Sequence, residues 1–153
     1  MKPFPLTKGK VAIVDEADYE WLDQWPWFYN NGYAARWRRK GEKDGPRYVM
    51  MHREIARRKY GRKVKCVDHR DRDTLNNTRR NLRKSTKSQN GANQVRKGLK
   101  GVRFRHRKWQ ARIRVEGKEI YLGSFPKMSE AVEAYNNAAL KYFGDFACLT
   151  QTD

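Results

Sequence analysis

Residues 101–125 read GVRFRHRKWQARIRVEGKEIYLGSF. Val102 and Phe104 alternate with Arg103 and Arg105. Ala111, Ile113 and Val115 alternate with Arg112 and Arg114, and Ile120 and Leu122 with Glu119 and Tyr121. Side chains of a strand point to opposite faces in turn, so a strict period of two predicts three strands with one apolar and one polar face. Arg107-Lys108 and Glu116-Gly117 supply short turns, which makes the strands antiparallel neighbours. Further on, Ala131, Ala134, Tyr135, Ala138, Ala139 and Tyr142 recur at helical spacing, with Ser129 as the expected cap and Gly144 as the stop. The expectation is a three-stranded antiparallel sheet packed on one helix, with the arginines left outside. Like charges on neighbouring strands destabilise a sheet. Either the arginines splay into solvent, or the face meets a polyanion; a β-sheet in a DNA major groove, where Arg reads guanine, suits the second reading.

Upstream the pattern is mixed, and the fold class is α+β. Residues 11–14 form a short apolar strand, and residues 15–24 a helix with acids in its first turn. Residues 25–37 are aromatic-rich around the hairpin signal Asn30-Asn31-Gly32. A packed aromatic core is favoured there over a base-stacking site. Residues 36–40 are basic enough to touch phosphates, and 41–46 form a polar loop. Residues 51–60 read as a helix ended by Gly61. Residues 64–67 read as a strand running into Asp68-His69, followed by a polar loop over 70–80. Ser85 or Thr86 caps a helix over about 87–94, and Gly91 and Gly98 bracket a linker.

The 153 residues carry 35 Lys and Arg against 17 Asp and Glu, a net +18. Residues 51–98 hold 16 basic and 4 acidic side chains, so most of the excess sits in the middle third. Self-repulsion of that size calls for a counter-charge, and nucleic acid is the commonest. Aromatics at 12% speak against a disordered tail. No apolar run is long enough for a membrane span, and no basic-then-apolar leader opens the chain. Cys66 and Cys148 stand far apart, so neither a disulfide framework nor a CxxC zinc site is expected. The expected compartment is the cytoplasm.

Gly101-Val102-Arg103-Phe104-Arg105, Trp109-Gln110-Ala111-Arg112-Ile113-Arg114, Tyr121-Leu122-Gly123-Ser124-Phe125 and the alanine stripe to Gly144 and Ala147 together resemble the ethylene-response-factor (APETALA-type) DNA-binding domain. The resemblance covers about residues 98–150. It implies that the sheet reads DNA and that Arg103, Arg105 and Arg114 contact bases and phosphates, with Arg107, Arg112 and Tyr121 on the same surface. The turn near His106 is a residue shorter than usual, Tyr121 replaces a tryptophan and Glu119 often an arginine, so the target sequence does not carry over.

Among the three histidines, His69 stands out by its company. Met51-His52-Arg53, Val67-Asp68-His69-Arg70, Leu75-Asn76-Asn77, Asn81-Leu82-Arg83 and Ser88-Gln89-Asn90, in that order, resemble the HNH endonucleases of phages and mobile elements. The resemblance implies a ββα-metal (His-Me finger) core of two short strands and a helix. It implies that His69 is the general base, that Asn81 holds its loop, and that Asp68 and Asn90 carry one divalent ion, Mg²⁺ with Mn²⁺ as the alternative and no structural zinc. Many members have a histidine where Asn90 stands. The chemistry fits these residue types: a near-neutral imidazole activates water, and a hard cation on oxygen ligands offsets charge on the phosphate. Arg53, Arg70, Arg80 and Arg83 flank these motifs as expected DNA contacts. His52 reads as a packed helix-start residue, and Asn76 and Asn77 as loop-shaping.

The expected organisation is an N-terminal β-rich extension over 1–47, a nuclease core over 48–95, a linker over 96–100 and a DNA-binding domain over 101–150. The expected function is homing-endonuclease-like cleavage of double-stranded DNA in a bacterial or phage-infected cell, close to the nucleoid, by a monomer with no small-molecule substrate and no membrane. Two alternatives are a non-enzymatic DNA-binding regulator that keeps the nuclease fold as a basic clamp, and an RNA-binding protein, disfavoured because Tyr121 alone is an outward aromatic on the C-terminal sheet.

Overall fold

A computed structural model describes residues 1–42, 46–95 and 98–151. Residues 43–45 of the expected 41–46 loop and residues 96 and 97 of the expected linker lie outside the described residues. The chain divides into two compact units, Met1–Lys84 and Ser85–Asp153. Among the described residues, no helix is long and apolar enough to cross a membrane.

In the first unit, β1 (Lys2–Pro5) and β2 (Val11–Val14) pair antiparallel, and α1 (Glu16–Asp23) follows. A second sheet holds β3 (Phe28–Asn30), β4 (Tyr33–Trp37) and β5 (Tyr48–Met50) in that order. Its β3–β4 turn is the expected two-residue one, with Asn31 at φ 45° and Gly32 at φ 94°, the left-handed pair that matches hairpin twist. Helix α2 (Met51–Tyr60) ends before Gly61 as expected. Then β6 (Val67–His69) pairs antiparallel with β7 (Leu82–Lys84). The core gathers Phe4, Leu6, Ala12, Val14, Leu22, Trp27, Ala34, Met51, Ile55 and Leu82.

Three strands of this unit carry weak sequence signals. Pro3 and Pro5 argue against a strand, yet β1 belongs to a two-stranded ribbon, where a missing N–H is tolerated. Strands β5 and β7 are three residues each, too short for alternation to register. Strand β6 starts at Val67, not residue 64, and takes Asp68 and His69 into its ladder.

Asp15 occupies the N-cap position of α1, but its carboxylate makes no capping bond and accepts the main-chain N–H of Arg79 at 2.6 Å. Fully buried Asp18 receives the Arg79 guanidinium in a two-pronged contact, both arms 2.7 Å. These bonds anchor the far end of the 70–81 loop to α1.

In the second unit, Thr86 caps α3 (Lys87–Asn93) through a reciprocal capping box with Gln89. Strands β8 (Val102–Arg105), β9 (Lys108–Val115) and β10 (Lys118–Phe125) form an antiparallel sheet ordered β10–β9–β8, packed on α4 (Met128–Phe143). This is the three-strand, one-helix arrangement expected, with four local corrections. The first turn is His106-Arg107, both residues at positive φ (51° and 60°), and Lys108 already belongs to β9. Ser129 does not cap α4: Lys127 holds that position, because Met128 packs against the core and draws the helix start back. The buried stripe runs Ala131, Val132, Tyr135, Ala138, Ala139 and Phe143, with Tyr142 left 42% exposed. Phe104 is 60% exposed and leans on Trp109 instead of joining Val102 in the core. Ala92 of α3 joins that core.

Candidate active site

Pairing of β6 with β7 sets Asp68 opposite Arg83 and His69 opposite Leu82. Both acidic and imidazole side chains are buried. The ring of His69 is walled by His52, centroid 5.1 Å away, and by Tyr33, 6.3 Å away. His52 is the second residue of α2 and packs as expected, so three elements of the first unit converge on one imidazole.

Asn77 closes the arrangement. Its side chain is 1% exposed, its main-chain N–H donates to Ile13 O at 2.7 Å, and its amide Nδ2 donates to Leu75 O at 3.1 Å. That bond turns Oδ1 toward His69 Nε2, 3.3 Å away. An amide oxygen only accepts, so the imidazole proton sits on Nε2 and Nδ1 carries the lone pair.

Burial pushes the pKa of His69 below the ordinary histidine value; the Asn77 bond and the carboxylates of Asp71, Asp68 and Asp73 oppose this. Burial, with His69 and Arg53 adding, pushes His52 down to about 3. Both rings are therefore neutral at pH 7. The unfolded chain takes up their protons first, so the stability they confer is complete above pH 6.5 and is lost as pH falls toward the folded values. We expect the first unit's stability to fall between pH 6.5 and about 5 by up to about 1.4 kcal/mol per pH unit from His52 alone, and its melting temperature to fall with it. Scanning calorimetry in EDTA checks it, and His52→Phe should flatten the decline in that window.

Asp68 accepts the Arg83 Nε–H at 2.8 Å. Arg83, expected at the DNA, is thus turned inward, with 10% of its side chain exposed. Asn81 braces the loop that follows His69. Its Nδ2 donates to Asp71 Oδ1 (2.8 Å) and Asn76 O (2.7 Å), its Oδ1 accepts from Asp71 N–H (3.0 Å), and its carbonyl accepts from Arg70 N–H (3.0 Å). Asn76 donates to the other Asp71 oxygen at 2.6 Å. Asn90 lies on α3, in the second unit. Among the described residues no three His, Cys, Asp or Glu side chains are gathered as a metal cage.

Arg53, Arg70 and Arg80 are exposed in the first unit. In the second, Arg103, Arg105, Arg107, Arg112, Arg114 and Tyr121 are all exposed. Their repulsion is relieved at one point: Arg112 pairs with Glu119 at 2.8 Å and lies over the Tyr121 ring, 5.6 Å from its centroid. The places of Tyr33 and Asn77 beside His69 are not legible in the sequence, since each depends on the packing of separate segments, whereas Asp71 joins the loop through local bonds to Asp73, Asn76 and Asn81 at a position the motif spacing does not mark. The one signal was the Asn76-Asn77 pair, read as loop-shaping.

The HNH endonuclease family model matches residues 49–92. An uncharacterized HNH endonuclease of Acanthamoeba polyphaga mimivirus is 35% identical over 158 residues, covering 95% of this chain and 78% of its own. An ethylene-responsive transcription factor-like protein of Arabidopsis thaliana is 46% identical over 41 residues, 27% of this chain. An AP2-like ethylene-responsive transcription factor of Oryza sativa is 56% identical over 41 residues, 26% of this chain. The chain spans 18% and 6% of the lengths of these two plant proteins. No solved structure matches the chain.

Proposed function

The chain belongs to the HNH endonuclease family, and on that premise we propose that it hydrolyses phosphodiester bonds of double-stranded DNA, with the arginine face of its second unit supplying most of the affinity. The observation that carries the reading is His69: a neutral imidazole, its tautomer set by Asn77, on the strand that also bears Asp68. Nδ1 takes a proton from the attacking water, and Asn77 keeps the ring from turning as it charges. Asn81, through Asp71 and Asn76, holds the loop after His69 in one conformation. Arg83 orients the Asp68 carboxylate.

Asp68 would hold the ion in the first unit. A carboxylate oxygen is a hard donor that suits Mg²⁺ or Mn²⁺ and binds it weakly until substrate phosphate joins. Such an ion, when bound, offsets charge on the phosphate and the departing oxygen. Arg53, Arg70, Arg80, Arg103, Arg105, Arg107 and Arg114 would meet DNA phosphates and base edges, so binding weakens steeply as salt rises. One centre per chain makes a nick the product of a monomer. Residues 48–95 would serve as the cutting part and 101–150 as the addressing part.

The test is a supercoiled plasmid incubated with protein in Mg²⁺, in Mn²⁺ and in EDTA. Conversion to the nicked circle with either ion and not in EDTA is expected. A plasmid untouched in all three, with tight gel-shift binding, identifies instead a DNA-binding regulator.

A further inference from the structure

Phe28, Trp37 and Tyr48 share one face of the β3–β4–β5 sheet: Phe28 pairs with Ala35, two residues from Trp37, and Trp37 pairs with Tyr48. Ring centroids are 4.6 Å apart for Trp37–Tyr48, 5.5 Å for Phe28–Trp37 and 5.8 Å for Phe28–Tyr48. The opposite face, through Ala34 and Tyr29, meets the core of the first unit. The trio is not among the described side chains packed on that core, and Trp37 is 47% exposed. Trp27 lies in that core and half-buried Trp25 packs on it, so the aromatic stretch splits between the core and a second cluster in which Phe28 and Tyr48 are half-buried and Trp37 is exposed.

Cations rim the second cluster. The Arg47 guanidinium lies 4.6 Å from the Trp37 ring centroid. Arg38 follows Trp37 directly; its main-chain N–H bonds Arg47 O and its Nε bonds Pro46 O, which holds the basic chain beside the rings. The three rings are tilted on one another by 36° to 73°, and Arg47 lies over one face of Trp37; an exposed indole with a guanidinium on it suits a ligand that is planar and phosphate-linked. A protein partner would gain from the rings but not from the arginines. The same sheet face carries Tyr33, four residues before Trp37, whose ring stands beside His69. Four strand residues span about 13 Å.

We propose that Phe28, Trp37 and Tyr48 form a stacking platform for unpaired nucleobases of a DNA strand, with Arg38 and Arg47 taking its phosphates. Stacking there is independent of the nuclease reading; only the identity of the strand, the one leaving His69, rests on it.

The test uses the full chain in EDTA and fluorescence anisotropy on two labelled single strands of equal length and charge, one of thymidines and one abasic. The wild type should bind the thymidine strand about tenfold tighter, the scale of one stacked base. Trp37→Ala should lose that preference through weaker binding of the thymidine strand alone, and Trp37→Phe should keep most of it. Arg47→Gln should weaken both strands alike. Circular dichroism shows whether Trp37→Ala folds; if it does not, Tyr48→Ala, with the same expected loss, decides. Equal binding of both strands by the wild type overturns the proposal. So does a preference undiminished in the folded variants, or one undiminished while Trp37→Ala splits a dimer into monomers, which would show a second copy covering the face. Failure of plasmid cleavage leaves all these readings intact.

Discussion

His69→Ala is expected to slow plasmid nicking by about 10²–10⁴-fold, the usual contribution of a general base, while gel-shift affinity for duplex DNA stays within about twofold. The split follows from position. The imidazole is 7% exposed and is held by Asn77, His52 and Tyr33, whereas the arginines expected to meet phosphates are exposed and make none of those contacts. Loss of the ring opens a space between His52 and Asn77, and truncating a buried side chain of that size costs about 2–5 kcal/mol. The measurement therefore needs a melting curve beside it, taken well below the transition. His69→Gln, closer in volume, should fold more like the parent and cut no faster than the alanine variant, because an amide takes up no proton near neutral pH. Either variant nicking at the parental rate would move the base to another residue.

The placement of Asp68, His69 and Asn81 near one loop is legible in the chain, for a physical reason. They lie where the backbone itself puts them: two on a short strand, one where the partner strand begins, with the loop between closed by Asx-type bonds such as Asp71 Oδ1 to Asp73 N–H. Spacing along the chain reports such local arrangements. It does not report Asn77 against His69 with Ile13 behind it, or Tyr33 and His52 as walls, because those contacts depend on packing of separate sheets and a helix. The C-terminal sheet was legible for the opposite reason: two of its three strands have eight residues, long enough for alternation to show, and Gly117 marks the turn between them. The misplaced start of α4 and the exposed Phe104 mark where alternation stops being informative. Periodicity tells which face a residue takes, not whether a helix extends far enough to cover it.

Gly101→Ala should damage the second unit selectively. Gly101 stands just before β8 at φ +72°, a conformation any other residue adopts with strain. A methyl group there would run into the Tyr135 ring and the Arg112 carbonyl, and neither has room to yield. Tyr135 is 4% exposed within the α4 stripe, and Gly101 O accepts the Arg112 N–H at 2.8 Å, the bond that starts the β8–β9 register. Positive φ and overpacking each cost about 1–3 kcal/mol, so a loss of about 2–6 kcal/mol is expected. A domain of this size holds on the order of 3–10 kcal/mol in total, so much of the unit would be unfolded at 37 °C. Gly117→Ala is the control: it shares the positive φ, +86°, but a methyl group there meets nothing within 4 Å, and about 1 kcal/mol is expected. Duplex affinity at 150 mM salt should drop sharply in Gly101→Ala and hold in Gly117→Ala. Equal melting temperatures for the two variants would mean that the sheet tolerates a side chain at residue 101, and that close packing of Tyr135 on the β8 entry is not what holds the arginine face in shape.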